Sequence, residues 1–236
     1  MPNDYFQFKK FIVKQDKTAM KVCTDSCILG AYVDTTVKKR ILDIGTGTGL
    51  LTLMLAQRYQ VPIDAVEINE EAVQQARENF RLSPWSDRID VFHDDINNFK
   101  NISLHQYDLI VCNPPFYTNH LLAVDAAKNQ AMHNEYLPPE VLMQSISSLL
   151  SRTGTSYILL PPKQEEYLET LVSGYGLFIN KKLIIRDRPG SNVLRIILKI
   201  RGIRTPISED HLTVKNSGGD YSARFRQLLS PYYLRL

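Results

Sequence analysis

The sequence predicts an α/β fold: a doubly wound, mostly parallel sheet of seven strands with an antiparallel edge hairpin, preceded by a short N-terminal extension. Three observations predict it. From Arg40 onward, apolar runs of four to six residues, each ended by Gly, Asp or Asn, alternate with longer stretches of helical period, as in successive βαβ units. The first run ends in three alternating glycines, Gly45, Gly47 and Gly49, where a helix then opens. The 236 residues, 44% hydrophobic and 22% charged, can bury a sizeable core without disulfides.

Residues 1–39 stand outside this alternation and read as a basic extension packing on a domain of residues 40–236. Residues 5–13 alternate weakly, with Phe6, Phe8 and Phe11 set among lysines, and residues 24–33 read as a short helix begun by a Thr or Asp cap. Strands are expected at 40–44, 63–67, 88–92, 107–112, 155–160, 177–185 and 193–200. Helices fall between them. Residues 50–59 carry Leu51, Met54 and Leu55 on one stripe, and residues 70–82 carry Ala72, Val73, Ala76 and Phe80 likewise, with further helices at 139–150 and 163–173. Only residues 186–192, which include Pro189 and Gly190, separate the last two strands, so these form an antiparallel hairpin at the sheet edge.

Composition excludes disorder and collagen. Three cysteines, Cys23, Cys27 and Cys112, suggest neither a disulfide framework nor a zinc site, and His93, His105, His120, His133 and His211 show no ligand spacing, so no metal is expected. No run approaches the ~18 apolar residues of a membrane span, and the first residues lack a signal pattern. A cytoplasmic protein is expected. The net charge of +3 divides into +4 over residues 1–40, −9 over 41–180 and +8 over 181–236. Basic ends around an acidic middle suggest a surface for a polyanion, nucleic acid first, although solvated lysines and arginines would give the same counts.

Three constellations carry chemistry. Ile41-Leu42-Asp43-Ile44-Gly45-Thr46-Gly47-Thr48-Gly49 is a strand, a Gly-rich turn and a helix start, with Asp43 placed to attract a ligand cation. A dinucleotide fingerprint begun at Gly45 would need its third glycine at Leu50, and a phosphate loop would need Gly-Lys-Ser/Thr, so the turn favours a ligand without pyrophosphate. A merely tight turn would use the same glycines. Glu67 closes the next strand 18 residues after Gly49, where a carboxylate grips a ribose diol. Asp94-Asp95-Ile96 closes the third, either as an acceptor for an adenine amino group or as a helix cap. The most specific is Asn113-Pro114-Pro115-Phe116, a tetrapeptide type expected by chance in on the order of one such chain in a hundred. Two prolines stiffen the turn, the Asn side chain and the Pro114 carbonyl accept hydrogen bonds, and the ring offers a stacking face. These parts suit a planar NH₂ group whose lone pair must be aimed at an electrophile.

These motifs resemble the class I S-adenosylmethionine-dependent methyltransferases that modify amino groups. Phe8-Lys9-Lys10-Phe11, Gln15-Asp16-Lys17, Ala19-Met20-Lys21-Val22, Thr24-Asp25, Leu29-Gly30-Ala31, Ser83-Pro84-Trp85 with Arg88-Ile89, and the tail residues Tyr221-Ser222, Phe225 and Tyr232-Tyr233-Leu234 are similar to the bacterial tRNA1(Val) adenine-N6 methyltransferases over nearly the whole chain. The resemblance implies a Rossmann-like class I methyltransferase fold and methyl transfer to N6 of the adenosine just 3′ of the valine anticodon. It also implies S-adenosyl-L-methionine held by Thr24, Asp43, Gly45, Thr46, Gly47, Gly49, Glu67, Ile68, Asp95, Ile96 and Asn113, with Asn113, Pro114 and Phe116 catalytic. Many members carry Tyr where this chain has Phe116, a change that keeps stacking and removes a phenol hydroxyl. Residues 121–135 match least.

On this reading the flipped adenine stacks on Phe116 and donates its N6 hydrogens to Asn113 and the Pro114 carbonyl, with no metal or strong base. The expected partner is a tRNA anticodon loop, met by a monomer or weak homodimer. Lys9, Lys10, Lys14, Lys17 and Lys21 from one end and Lys181, Lys182, Arg186, Arg188, Arg195 and Arg204 from the other would converge on its phosphates. The rivals are methylation of a protein glutamine, whose enzymes typically carry a larger helical N-terminal domain, methylation of guanine N2 in ribosomal RNA, and a non-catalytic RNA-binding module.

Overall fold

The apolar residues of β3 (Ile41–Ile44) turn alternately to two faces, and all four positions are buried because helices cover both sides of the sheet. The computed structural model describes residues 3–18, 20–114 and 137–236. Beside β3 in the main sheet lie β4 (Ile63–Glu67), β5 (Ile89–His93), β6 (Tyr107–Cys112), β7 (Leu150–Leu160), β8 (Phe178–Arg186), β9 (Val193–Arg201) and β10 (Ser208–Thr213), in the order β10-β8-β9-β7-β6-β3-β4-β5. Only β9 is antiparallel to its neighbours. A separate two-stranded hairpin joins β1 (Tyr5–Gln7) to β2 (Ile12–Lys14).

Ile41, Leu109, Val111, Tyr157 and Leu159 face a core shared with α1 (Thr24–Tyr32), α2 (Leu50–Ala56), α3 (Glu70–Arg81) and α7 (Ala223–Leu229). Leu42, Ile44, Ile110, Cys112 and Ile158 face α4 (Ile96–Ile102), α5 (Pro139–Leu149) and α6 (Glu165–Val172) on the other side. The strand period of two thus divides each apolar run between two cores.

The α/β class and the β8–β9 hairpin are as the sequence predicts, but among the described residues the sheet has eight strands, not seven. The hairpin does not form the edge. β10 adds itself parallel to β8, and its sequence Ser-Glu-Asp-His-Leu-Thr carries one buried apolar residue, Leu212, because an edge strand faces water along most of its length. The helix at residue 24 begins differently as well. Cys23 is its N-cap residue and makes no side-chain cap hydrogen bond, so neither Thr24 nor Asp25 serves as the cap.

The N-terminal hairpin docks on the first core. Phe8, Phe11 and Val13 are buried there, Phe8 stacks on Phe11 at 4.5 Å between centroids, and the Lys9 N–H donates to the Tyr232 carbonyl at 2.8 Å. Trp85 meets Phe11 edge-on, a packing role.

At the amino edge of the central strands, Asp64 on β4 is 1% exposed and accepts from Arg40 Nη1 at 2.6 Å and from the Tyr107 hydroxyl at 2.7 Å. The carboxylate therefore ties together the chain entering β3, β4 and the start of β6. Asp64→Ala leaves a guanidinium and a phenol without their acceptor, and should cost about 3–5 kcal/mol of stability. Urea denaturation checks this; a loss below about 1 kcal/mol would contradict it.

Candidate active site

β3 lies between β4 and β6. The chain leaves β3 toward β4 and β5, then returns to build β6 on the other side, so the connections diverge at the carboxyl ends of β3 and β6. In open α/β sheets that divergence leaves a crevice for a ligand. A cavity of about 730 Å³ occupies it, with Gly45, Gly47, Glu67, Asp95 and Asn113 on its wall. The volume is that of a small-molecule cofactor site.

Gly45 and Gly47 have φ of +70° and +56°, a region L side chains seldom adopt, and a Cβ on either would meet no protein atom within 4 Å. The backbone is therefore bare toward the cavity. Gly49 serves differently. At φ +82° it is the N-cap residue of α2, and a Cβ there would lie 2.4 Å from the Phe80 ring, so it permits α3 to approach.

Asp43 is 0% exposed beneath this loop. Its Oδ2 accepts from the Thr46 hydroxyl at 2.7 Å, the Thr52 hydroxyl at 2.8 Å and the Thr52 N–H at 3.2 Å. Neither Asp43, Thr46 nor Gly49 stands on the cavity wall. These three shape the loop from below, because a strand-end carboxylate pointing inward meets the helix that follows. Thr24 is exposed and also off the wall.

Glu67 Oε2 accepts from the Gly47 N–H and Oε1 from the Asn69 N–H, both at 2.9 Å. These bonds fix the carboxylate at the end of β4, between the glycine loop and the start of α3. Asp95 caps α4 by accepting from the Asn97 N–H at 2.8 Å and also lines the cavity. Ile68 and Ile96 contribute apolar walls beside them. The carboxylate acceptors, the bare glycine backbone and the flanking apolar residues fit S-adenosyl-L-methionine.

Asn113 and Pro114 follow β6 on the opposite wall. Asn113 Nδ2 donates to the Ser26 hydroxyl of α1 at 2.8 Å, a partner 87 residues earlier that no motif announced. Phe116 lies outside the described residues, as do Pro115, His120, His133 and residues 121–135. Lys17, Thr18 and Met20 from the N-terminal segment and Leu137, Pro138 and Val141 at α5 complete the wall. Of these, sequence reasoning singled out only Lys17, and as an RNA contact. The segment is held over α3 by hydrogen bonds from the Lys17 N–H to Gln75 Oε1 and from the Lys14 N–H to Asn79 Oδ1.

The basic ends do not converge as one surface. Strand directions put Arg186, Arg188 and Arg195 at the edge where Asn113 emerges, whereas Arg204 follows the carboxyl end of β9 at the opposite edge. Lys181 and Lys182 lie mid-strand on opposite faces, Lys181 between Asp34 and Asp210 at 3.8 and 3.6 Å and Lys182 bound to Glu165 and Glu169. Lys14 and Lys17 share Glu78, Lys9 donates to the Ser230 carbonyl and Lys21 to that of Gln15. Lys10 is exposed.

Residues 19–137 match the model of the methyltransferase small domain. Over its full length the chain is 42% identical to the whole tRNA1(Val) (adenine(37)-N6)-methyltransferase of Cytophaga hutchinsonii and 40% identical to that of Bacteroides fragilis. It is 39% identical to the Yersinia pestis enzyme of the same name, over 97% of this chain and 93% of that one. The chain belongs to this methyltransferase family. Among solved structures, a predicted O-methyltransferase from Agrobacterium tumefaciens superposes with a TM-score of 0.68 at 19% identity, covering 88% of this chain and 96% of that one. The ribosomal protein L11 methylase of Lactobacillus delbrueckii gives 0.51 at 18%, covering 74% and 75%. At such identities the likeness shows the fold alone.

Among the described residues, no group of three or more His, Cys, Asp or Glu could hold a metal ion, and no helix is long and apolar enough to cross a membrane. Burial pushes the Cys27 thiol up to about 12 and raises that of Cys112, so neither offers a thiolate nucleophile.

Burial pushes the Asp43 carboxyl up to about 6 from its ordinary 3.8, against the lowering pull of the Thr46 and Thr52 hydrogen bonds. Between these values the folded protein binds more protons at Asp43 than the unfolded chain does. This group's contribution to stability, fully present at acid pH, therefore falls as pH rises through the window. Relative to Asp43→Asn, which does not titrate, the wild type should lose on the order of 2–3 kcal/mol from about pH 4 to pH 7. Chemical denaturation across that range reads the difference; a flat one would contradict the raised value.

Proposed function

We propose that this methyltransferase methylates N6 of the adenosine at position 37 of tRNA1(Val), the nucleotide just 3′ of the anticodon. The observation that carries the reading is the placement of Asn113 and Pro114 across one cavity from Glu67 and Asp95, so that the amine acceptors and the cofactor grip share a space. The names borne by the full-length relatives support the substrate.

S-adenosyl-L-methionine supplies an electrophilic methyl group on a sulfonium sulfur. Glu67, at the end of β4 on the cavity wall, would receive the ribose hydroxyls on its carboxylate. Asp95 would accept from the cofactor's adenine end, and Gly45 and Gly47 would let it lie along the backbone. Asn113 Oδ1 and the Pro114 carbonyl accept the two N6 hydrogens of the target base. Those bonds draw the nitrogen lone pair out of ring conjugation and aim it, a positioning effect rather than base catalysis. The departing proton becomes acidic only after the nitrogen is methylated, so water can take it. Phe116 supplies the stacking face for the flipped base in this scheme.

Arg186, Arg188 and Arg195, at the sheet edge where Asn113 emerges, and Lys17 on the cavity wall would meet the flanking phosphates. An anticodon loop suits such a site because its bases are already partly unstacked, which lowers the cost of extraction.

Labelled S-adenosyl-L-methionine and tRNA lacking the modification, followed by nucleoside analysis, test the reading. N6-methyladenosine is expected in tRNA1(Val); labelled guanosine, or transfer only to a protein, would overturn it. Asn113→Ala should lower kcat by about a hundredfold or more with little change in cofactor affinity, as for a group acting mainly in the transition state. Glu67→Gln should do the reverse, weakening cofactor binding in calorimetry roughly ten- to a hundredfold.

A further inference from the structure

The first turn of α1 touches the reaction pocket through one of its lining residues, Asn113. Ser26, 6% exposed, accepts from Asn113 Nδ2 at 2.8 Å, and its oxygen also lies 3.1 Å from Cys23 Sγ. With its proton directed to that sulfur, the hydroxyl turns its lone pairs toward Asn113. One residue earlier, Asp25 pairs with Arg195 at 3.1 Å, which ties the same turn to the start of β9. Ser26 itself stands off the cavity wall that Asn113 lines.

The two ends of a primary amide are nearly equal in shape and opposite in chemistry: the oxygen accepts and the nitrogen donates. A target amine presents hydrogens, so it must meet the oxygen. Rotating the amide by half a turn would set donor against donor in the pocket.

We infer that Ser26 is a positioning residue for methyl transfer, holding Asn113 Nδ2 so that Oδ1 faces the target amine. The inference rests on the amine-methylating reading given above. Cys23 completes the arrangement when its sulfur accepts the Ser26 O–H hydrogen bond, and the Asp25–Arg195 pair keeps the helix turn in place. The serine acts on the reaction only through Asn113, and a substitution there should leave cofactor and RNA contacts intact.

A double-mutant cycle on the full chain tests it, with tRNA methylation measured for the wild type, Ser26→Ala, Asn113→Ala and the double variant. Ser26→Ala should lower kcat roughly ten- to a hundredfold, the range in which misplacing a reacting group acts, with the tRNA KM and the calorimetric cofactor affinity unchanged. In the Asn113→Ala background the same substitution should have no further effect. An unchanged kcat for Ser26→Ala would overturn the role. So would an equal loss in both backgrounds, since a general defect in folding or binding persists when Asn113 is absent. A wild type that transfers no methyl to tRNA would overturn the functional reading itself, an outcome distinct from an active wild type whose Ser26→Ala variant is equally active.

Discussion

The site depends on one buried carboxylate. Asp43 sits at the end of the central strand with no exposed surface and draws three hydrogen bonds from Thr46 and Thr52 onto one oxygen. Those bonds fasten the glycine loop to the first turn of α2, and the loop in turn offers the Gly47 N–H to Glu67. Desolvation raises the energy of the charged form, which is why the carboxyl titrates high. A stabilised loop geometry is obtained at the expense of a strained protonation equilibrium, a trade common where backbone shape matters more than stability.

Around that centre, the cavity is assembled from parts far apart in sequence. Its floor is the end of β3 and β4, one wall is Asn113 and Pro114 after β6, another runs from the start of α3 to Asp94–Asn97 after β5, and Lys17, Thr18 and Met20 before the sheet begins and Leu137, Pro138 and Val141 beyond β6 complete it. The N-terminal segment reaches this position because Phe8 and Phe11 bury themselves against α1, α7 and the C-terminal tyrosines, and because Asn79 and Gln75 on α3 accept its backbone N–H groups. Hydrophobic docking sets where the segment goes, and the two buried amides set its register.

Electrostatics are partitioned in the same way. Glu78, Glu165, Glu169, Asp34 and Asp210 engage lysines that a count of charges would assign to a polyanion. Exposed pairs of this kind are weak, about 1 kcal/mol or less, so those on the rim, such as Lys17 with Glu78, remain open to exchange for a phosphate. Lys182, largely shielded between two glutamates on a helix, is committed to the fold.

The sequence by itself determined the α/β class, the strands from β3 to β9, the glycine loop, and the places of Glu67 at the end of β4 and Asn113 after β6. Each of those is encoded locally, by apolar period, by φ requirements or by a short motif, so no knowledge of neighbours was needed. Only the tertiary structure decided the rest. β10 is too polar to read as a strand because an edge needs little burial, and Cys23 displaced Thr24 and Asp25 as the cap because backbone geometry, not side-chain type, set the helix start. The three hydrogen bonds that tie Asp43 to Thr46 and Thr52 had no sequence signal, Ser26 had no visible tie to Asn113 across 87 residues, and Arg204 parted from Arg195 because a strand carries its two ends to opposite edges of the sheet. Contacts between distant segments depend on how the chain closes in space, and a one-dimensional pattern holds no record of that closure.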